Sequence, residues 1–422
     1  MTLKIYKIST VLILVAATVI IIFGSTYTFK RFCQSLVPAT SESGKLPIIN
    51  RSKVADGFTL FTSLNASSVP FEKGTIYLVD LYGNPVHKWT TLGKTQYAIL
   101  KEDGNLLTTQ AKIIDNNFPW AARITSIQEL DPENNVVWEY QNGALHHDFD
   151  VLPNGNVAVL EWVKVPEQMK SQIRGGRGGT EFKGLDIFTD RILEINKDKK
   201  VVWEWNAADH LDPNKFEIPW AFTREQWTHA NSIKFVESDP ITNKEAYLIS
   251  MRYLNTVFLI SKESGEIIWK SPKGLFVLQH DATLLDNGNI LVFNNGFHTS
   301  PSQNPLSYGS SVIEINPMTN LVVWEFPGSK NPLDASKLTE VILSGAQRLP
   351  NGNTLITLGT SGRMIEVTPD KKVVWDMINP YSDETDQPFP SNYIFKSRRY
   401  FKESVNWLNN FKSKPKLAEY CL

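Results

Sequence analysis

The chain has 422 residues with 43 basic and 44 acidic side chains, and its formal net charge at pH 7 is −1. A balance this close to neutral provides no basic surface for nucleic acid, so no nucleic-acid partner is predicted. Its two cysteines, Cys33 and Cys421, form neither a disulfide framework nor a zinc-ligand spacing. The length and an aromatic content of 11% suit one large β domain.

The first predicted element is a membrane helix. No charged residue occurs from Ile8 to Phe29, and about 20 apolar residues suffice to cross a bilayer. The run is longer than the apolar region of a signal peptide, and no small-residue cleavage site follows it. We therefore predict a cytoplasmic stub and a transmembrane signal anchor over residues 1–30, with a cleaved signal peptide as the alternative. In either case the rest of the chain faces the periplasm or the extracellular space.

After a predicted linker over residues 31–48, one pattern repeats along the chain. Six segments end in a turn, an apolar pair and a tryptophan, at Trp89, Trp138, Trp203, Trp269, Trp324 and Trp375. Five of the six units also carry a D/N-G turn, and each reads as four short strands. A period of roughly 50 residues with four strands is typical of a β-propeller blade. A β-sandwich, the alternative, would not explain this period.

The predicted fold is therefore an all-β, six-bladed β-propeller over residues 49–404, preceded by one transmembrane helix. A short C-terminal tail is predicted over residues 405–422.

Histidines recur at one position of the repeat. His147 and His280 each stand eight residues before the turn glycine of their repeat unit. When the apolar strands of the units are aligned, His229 occupies the same position in a third unit. The chain contains only 7 histidines, so three at one phase is not a chance pattern. This position begins the first strand of a blade, which lines the central channel. We expect the three imidazoles to converge near one mouth of the channel.

Two further polar residues are predicted to join the histidines. Asn231 lies two residues after His229 and faces the same way along a strand. Arg252 ends the next strand, whose antiparallel return brings it back to His229. Asp148 and Asp281 directly follow two of the histidines and point the other way, so we expect them to bond between blades.

This group of side chains is compatible with two kinds of chemistry. Three neutral imidazoles could bind zinc, or one of them could attack an anionic group as a nucleophile. A guanidinium beside a metal dication is unfavourable, whereas it stabilises an oxyanion well. Arg252 therefore favours group transfer, and neither a metal ion nor a cofactor is predicted.

The sequence resembles the arylsulfotransferase (arylsulfate sulfotransferase) family of six-bladed propellers from about Gly57 to Tyr400. The resemblance rests on "HHDFDVLPNGN", "VVWEWNAADHLDP", "QWTHANSIKF", "LISMRY", "QHDATLLDNGNILVFNNG" and "YIFKSRRY". It implies that a sulfuryl group passes from an aryl sulfate to a phenolic acceptor without a nucleotide sulfate donor, and that His280 becomes transiently sulfurylated. It also implies that the sulfuryl oxygens and the proton are handled by His147, His229, Asn231 and Arg252. The sequence carries no Walker-type phosphate loop, which agrees with this.

Four more residues are predicted to contact substrate. Gln96 and Ser344 share the channel phase of the repeat, His146 lies one residue off that phase, and His298 lies in the segment "FNNGFHTS". A glycine-rich insert, Ser171–Gly184, could cover the channel mouth as a lid or be plain disorder. Family members often carry an arginine after the segment that here reads "FNNGFHTS".

The competing hypothesis is a membrane-tethered propeller that binds a ligand or a protein partner and catalyses nothing, because propellers host many functions. The phased histidines with Asn231 and Arg252 favour catalysis, since a scaffold has no need of them. The predicted partners are thus an aryl sulfate, a phenolic acceptor and, through the N-terminal helix, the membrane. The oligomeric state is left open.

Overall fold

The computed structural model describes residues 48–64, 73–111, 123–178, 186–220, 222–296, 309–327, 338–381 and 392–413. Within these residues no helix is long and apolar enough to span a membrane. The predicted membrane span, all but the last residue of the predicted linker, and His298 lie outside the described residues.

Short strands make up most of the regular structure. In chain order they are β1 Ile48–Ile49, β2 Phe58–Leu64, β3 Gly74–Val79, β4 Pro85–Thr91, β5 Ala98–Leu100, β6 Leu106–Gln110, β7 Ser126–Leu130, β8 Val136–Gln141, β9 Leu145–Val151, β10 Val157–Lys164, β11 Phe188–Ile195, β12 Val201–Asn206, β13 Ala230–Val236, β14 Ala246–Met251, β15 Thr256–Ser261, β16 Ile267–Lys270, β17 His280–Leu284, β18 Ile290–Asn294, β19 Ser311–Asn316, β20 Leu321–Phe326, β21 Gly345–Arg348, β22 Thr354–Leu358, β23 Arg363–Val367, β24 Val373–Ile378 and β25 Tyr393–Tyr400. The helical turns are α1 Glu167–Lys170, α2 Ala207–His210, and 3₁₀ turns at Arg252–Leu254 and Asn406–Asn410.

The described strands form six antiparallel sheets, and each sheet is one blade. From the channel outwards the blades are β25-β2-β3-β4, β5-β6-β7-β8, β9-β10-β11-β12, β13-β14-β15-β16, β17-β18-β19-β20 and β21-β22-β23-β24. The first strands of neighbouring blades contact one another, as β9 contacts β13 and β13 contacts β17. The prediction of a six-bladed propeller is therefore confirmed, and the β-sandwich is excluded.

The first and the last strands of the described chain both pair with strands of the propeller blades. The last strand, β25, is the innermost strand of the first blade and pairs with β2, with Phe58 opposite Tyr400. At the other end β1 pairs with β24 and adds a fifth strand to the rim of the sixth blade. Beyond β25, Val405 and Leu408 are buried in the core between the first two blades.

The repeated tryptophans link each blade to the next. The indole Nε1 of each donates a hydrogen bond of 2.8 to 3.1 Å to a rim turn of the following blade: Trp89 to Asp131, Trp138 to Lys197, Trp203 to Lys262, Trp269 to Asn320, Trp324 to Pro369 and Trp375 to Leu81. The last of these bonds joins the sixth blade to the first and closes the circle. The period read from the sequence is therefore a period of contacts between blades.

The apolar core lies between adjacent blades. Ile192 and Trp205 of the third blade, for example, share one buried cluster with Ile233 and Ile249 of the fourth. Burying a side chain of this size stabilises the fold by about 1.5–3 kcal/mol. Each blade thus depends on two neighbours, and the inner strands that carry the histidines are held from both sides.

Candidate active site

Each of the three blades that carry the histidines has a β-bulge at the start of its inner strand. The register shifts where β9 pairs with β10, β13 with β14, and β17 with β18. His147 and His229 have left-handed backbone, with φ of 53° and 51°, and so does Asp281, next to His280, with φ of 54°. This conformation costs a non-glycine residue about 1–2 kcal/mol. A bulge re-aims side chains, so local strain is part of how the histidines are placed.

The imidazole of His280 contacts the side-chain amide of Asn295. Its Nδ1 lies 2.7 Å from Oδ1 of Asn295. The Asn295 Nδ2 donates to the carbonyl oxygens of Glu340 at 2.7 Å and Leu343 at 3.3 Å, which fixes which end of the amide faces the imidazole. Because an amide oxygen can only accept, the proton of neutral His280 lies on Nδ1. Its Nε2 therefore carries a lone pair.

His229 and His147 form an edge-to-face pair with ring centroids 4.6 Å apart. Nδ1 of His229 donates to the amide oxygen of Gln226, so Nε2 of His229 also carries a lone pair. Nδ1 of His147 lies 2.9 Å from Nδ1 of the preceding residue, His146. The expected convergence of histidines from adjacent blades is thus observed directly for these two rings.

Arg252 is a buried cation beside the histidines. Its backbone N–H donates to the carbonyl of His229 at 3.0 Å, as expected from the antiparallel return of β14. Among the described residues no carboxylate forms an ion pair with its guanidinium and Nε has no hydrogen-bond partner, while Nη2 reaches the carbonyl of Val341 at 3.4 Å. A buried charge without a counter-ion is costly. The site is therefore prepared for an anion.

An aromatic stack runs through the site. The ring of His229 stacks on Tyr253 at 4.4 Å, and Tyr253 stacks on Phe222 at 4.2 Å. The Arg252 guanidinium lies 4.9 Å from the centre of the Phe222 ring. Phe222 is half-buried, so the stack connects the buried imidazoles to a more accessible face.

Asn231 ties the fourth blade to the fifth. Its Nδ2 donates to the carbonyl of Gln279, directly before His280, at 2.8 Å. Its Oδ1 is buried and has no hydrogen-bond partner among the described residues. Asn231 therefore fixes the start of β17 and leaves one polar atom available.

Burial and mutual repulsion keep the imidazoles neutral. Burial, with a further contribution from the Arg252 charge, lowers the pKa of His280 to about 3. Burial, followed by electrostatic effects of the neighbouring histidines and Arg252, holds the pKa values of His147 and His229 well below their usual range. Burial also lowers the pKa of Arg252 to about 10, which leaves it charged at pH 7. The site thus combines uncharged bases with one cation.

The carboxylates that follow two of the histidines bond between blades, as expected. Asp148 Oδ2 accepts from the backbone N–H of Ile233 at 3.0 Å, and Asp281 Oδ2 accepts from that of Ala346 at 3.0 Å. Lys396 of β25 lies 2.8 Å from Asp148 and 3.4 Å from Asp281, and its side chain is 1% exposed. One buried ammonium thus joins three blades.

The side chains of Gln96 and Ser344 form hydrogen bonds with backbone groups. Gln96 Nε2 donates to the carbonyl of Arg123 at 3.3 Å, and Ser344 Oγ accepts from the backbone N–H of Gly359 at 2.9 Å. His146, also predicted to contact substrate, is 0% exposed and lies behind His147.

The described part of the glycine-rich insert is fastened at its base. Arg224 donates to the carbonyls of Gly175 at 2.7 Å and Ile173 at 2.5 Å. Residues 179–184 of the insert lie outside the described part of the chain.

Several site residues were not predicted from the sequence. These residues are Asn295, Gln226 and Tyr253. They lie in loops or turns, where the strand repeat does not predict which side chains face the channel. A polar residue beside each histidine motif was the available signal, in "FNNG" for Asn295 and "EQWTHAN" for Gln226. The described residues contain no group of three or more His, Cys, Asp or Glu side chains arranged to hold a metal ion.

The fold and the site define a six-bladed β-propeller with neutral histidines and a buried arginine that has no carboxylate partner among the described residues. Residues 125–380 match the model of the family described as Arylsulfotransferase (ASST). The match covers more than half of the chain, and the protein belongs to this family. The matched range contains His147, His229, Asn231, Arg252 and His280. Family membership supports a sulfotransferase.

Solved structures with similar folds are distant. A protein of unknown function from Bacteroides caccae is 15% identical, with a TM-score of 0.48, and the match covers 81% of this chain and 98% of that one. A virginiamycin B lyase from Staphylococcus aureus is 12% identical, with a TM-score of 0.39, over 79% and 88% of the two chains. The Dos1 propeller is 10% identical, with a TM-score of 0.39, over 80% and 73%. Comparison with curated proteins finds no match.

Proposed function

We propose that this protein transfers a sulfuryl group from an aryl sulfate to a phenolic acceptor through a covalent intermediate on His280, without a nucleotide sulfate donor. The observation that carries the proposal is Arg252, a buried cation with no carboxylate partner among the described residues. A sulfate ester supplies the missing negative charge. Family membership is the second support.

The first half-reaction forms the covalent intermediate. Nε2 of His280 attacks the sulfur, the S–O bond to the aryl group breaks, and the phenolate leaves with the bonding electrons. The Nδ1 proton stays on the ring, which becomes a cation carrying –SO₃⁻. Asn295 Oδ1, 2.7 Å from Nδ1, stabilises that cation, while Arg252 stabilises charge on the sulfuryl oxygens.

The second half-reaction reverses the first with another phenol. The acceptor loses its proton to a base, its oxygen attacks the sulfur, and the N–S bond breaks to restore neutral His280. Both His147 and His229 are uncharged and adjacent, so either could accept that proton. Because one site serves both substrates in turn, the kinetics are ping-pong.

The surroundings suit an aromatic substrate. Phe222 and Tyr253 continue the ring stack from His229. Val341, whose carbonyl accepts from Arg252, is 38% exposed, and the next residue, Ile342, is 41% exposed. Apolar side chains that remain accessible next to a buried cation can bind the aryl group while the sulfate reaches Arg252.

The test uses purified protein, a chromogenic aryl sulfate such as 4-nitrophenyl sulfate, and phenol, with no nucleotide. The proposal predicts nitrophenolate release and formation of phenyl sulfate, both abolished in His280→Asn. His210→Asn is a matched control, because His210 is exposed and stacks on Trp205. Binding of the aryl sulfate without any turnover would instead support a non-catalytic propeller.

We also propose that the propeller faces the periplasm or the extracellular space, tethered by residues 8–29. The support is the uncharged run in the sequence. Protease added to intact cells, or to cells with a permeabilised outer layer, should digest the propeller. Protection until the cells are lysed would contradict this location.

A further inference from the structure

A buried carboxylate and a second histidine lie behind His147. Nε2 of His146 is 3.2 Å from Oδ1 of Asp190, and both side chains are 0% exposed. The two atoms lie within ion-pair distance, and neither forms a hydrogen bond among the described residues. A buried carboxylate oxygen needs a polar partner. His146 Nε2 is therefore the partner of Asp190 Oδ1. The other Asp190 oxygen accepts from the backbone N–H of Ala230 at 2.8 Å.

This arrangement determines where the protons lie. Asp190 can only accept, so the neutral His146 ring carries its proton on Nε2 and a lone pair on Nδ1. Since Nδ1 of His147 lies 2.9 Å away, His147 must donate from Nδ1. Its Nε2 then carries a lone pair. His147 thus matches His229 and His280, which also donate from Nδ1.

The surroundings of the two rings separate their roles. Trp162 stacks on His146 with ring centroids 3.8 Å apart, and meets His147 edge-on at 6.2 Å. The ring of His147 lies beside His229 and Arg252, and burial, followed by electrostatic effects of His146, His280 and Arg252, lowers the pKa of His147. A proton placed on His146 would lie beside the Asp190 carboxylate. A proton passed to His146 would thus have the Asp190 carboxylate as its counter-charge, one ring further from the substrate.

We propose that His146, paired with Asp190, is a positioning residue that stores the proton of the phenolic acceptor by relay through His147. Nε2 of His147 takes the phenol proton while its Nδ1 passes a proton to Nδ1 of His146. His146 becomes an imidazolium beside the Asp190 carboxylate, and His147 returns to a neutral ring. In the next donor half-reaction the proton travels back to a departing phenolate, or is released to solvent when the leaving group is stable as an anion. The relay rests on the proposed function.

The two half-reactions provide the test. Release of 4-nitrophenolate from 4-nitrophenyl sulfate needs no proton, because this leaving group is stable as an anion. Attack by phenol needs a base. In the full-length protein, rapid mixing should show that His146→Gln and Asp190→Asn keep the nitrophenolate burst within about threefold of wild type. Their steady-state transfer to phenol should fall roughly 10²–10³-fold, as expected for loss of a general base.

Controls separate this role from a purely structural one. His146→Phe preserves the stacking on Trp162, and Asp190→Asn preserves the hydrogen bond from Ala230. Both variants therefore remove the capacity to store a proton while they keep the packing. His210→Phe, a histidine stacked on Trp205 at 4.8 Å and outside the site, should change neither half-reaction. The transfer defect should shrink for acidic phenols that are already ionised at the assay pH.

The outcomes are distinct. A parallel fall of burst and transfer, together with a lower midpoint of thermal unfolding, would overturn the relay and leave a structural role. Wild-type transfer rates in His146→Gln would overturn it as well. Both results leave the wild-type burst, and hence the sulfohistidine mechanism, in place. A wild-type protein that transfers sulfate without a burst would overturn the covalent mechanism itself.

Discussion

Nδ1 of His280 lies 2.7 Å from Oδ1 of Asn295, and the Asn295 amide donates in turn to backbone carbonyls that precede the sixth blade. The orientation of the proposed nucleophile therefore depends on the contact between the fifth and sixth blades. Asn295 does not attack or bind substrate in this account. It fixes which nitrogen of His280 is available.

Replacing Asn295 by alanine should slow sulfurylation of His280. Loss of one buried hydrogen bond costs about 1–3 kcal/mol, which corresponds to roughly 5- to 150-fold in rate. The measurement is the rate of the nitrophenolate burst. Asn287→Ala, which removes a bond to Glu314 in the same blade, should leave the burst rate unchanged. Equal burst rates for Asn295→Ala and wild type would contradict this role.

Arg252→Met should separate activity from stability. Removing an oxyanion donor typically costs about 10²–10³ in rate. Because the guanidinium is buried without a carboxylate partner among the described residues, an apolar side chain of similar length should leave the unfolding midpoint unchanged or raise it. Arg252→Lys should retain more activity than Arg252→Met, since it keeps the charge but loses the planar fork. A large loss of stability with full turnover would show that Arg252 is structural.

Lys396→Met should destabilise the propeller strongly. Lys396 is the ammonium that joins Asp148 and Asp281 across three blades, and its removal leaves buried carboxylates short of a partner. Breaking a buried pair in this way costs about 3–5 kcal/mol. Lys244→Met removes a solvent-exposed pair with Glu263 and should cost at most about 1 kcal/mol. Chemical denaturation of both variants checks the difference, and similar losses would contradict it.

Acid should destabilise the protein through the site histidines. The folded-state pKa of His280 is lowered to about 3, whereas an unfolded histidine titrates near 6.5. Between those values the unfolded chain binds a proton that the folded chain does not, so stability is full above about pH 6.5 and is lost as the pH falls. Each such histidine contributes about 1.4 kcal/mol per pH unit. His280→Asn should flatten the dependence of the unfolding free energy on pH by that slope. Parallel curves for the variant and wild type would contradict the assignment.

The architecture could be predicted from the sequence because the repeat reflects contacts between blades. Each repeated tryptophan donates to the rim turn of the following blade, so its spacing equals the length of a blade. The phase of His147, His229 and His280 was informative for the same reason. In these three blades the same position of the repeat lies within two residues of the start of the inner strand.

The details of the site could not be predicted, because they depend on irregular backbone. Strict alternation along a strand would send His146 and His147 to opposite faces. The bulge and the left-handed φ of His147 bring their Nδ1 atoms to 2.9 Å instead. Asn295 and Gln226 come from segments outside the strand repeat, so no spacing rule links them to a histidine. The repeat period identified the three histidines. It did not identify the hydrogen-bond partners that determine which ring nitrogen of each histidine carries the proton.

The most direct test of the central claim is to trap the intermediate. Protein incubated with 4-nitrophenyl sulfate in the absence of an acceptor, then digested and analysed by mass spectrometry under alkaline conditions, should carry one acid-labile sulfuryl group on the peptide that contains His280. Addition of phenol should remove it and yield phenyl sulfate, and His280→Asn should show no label. A label on another residue, or turnover in His280→Asn, would contradict the account.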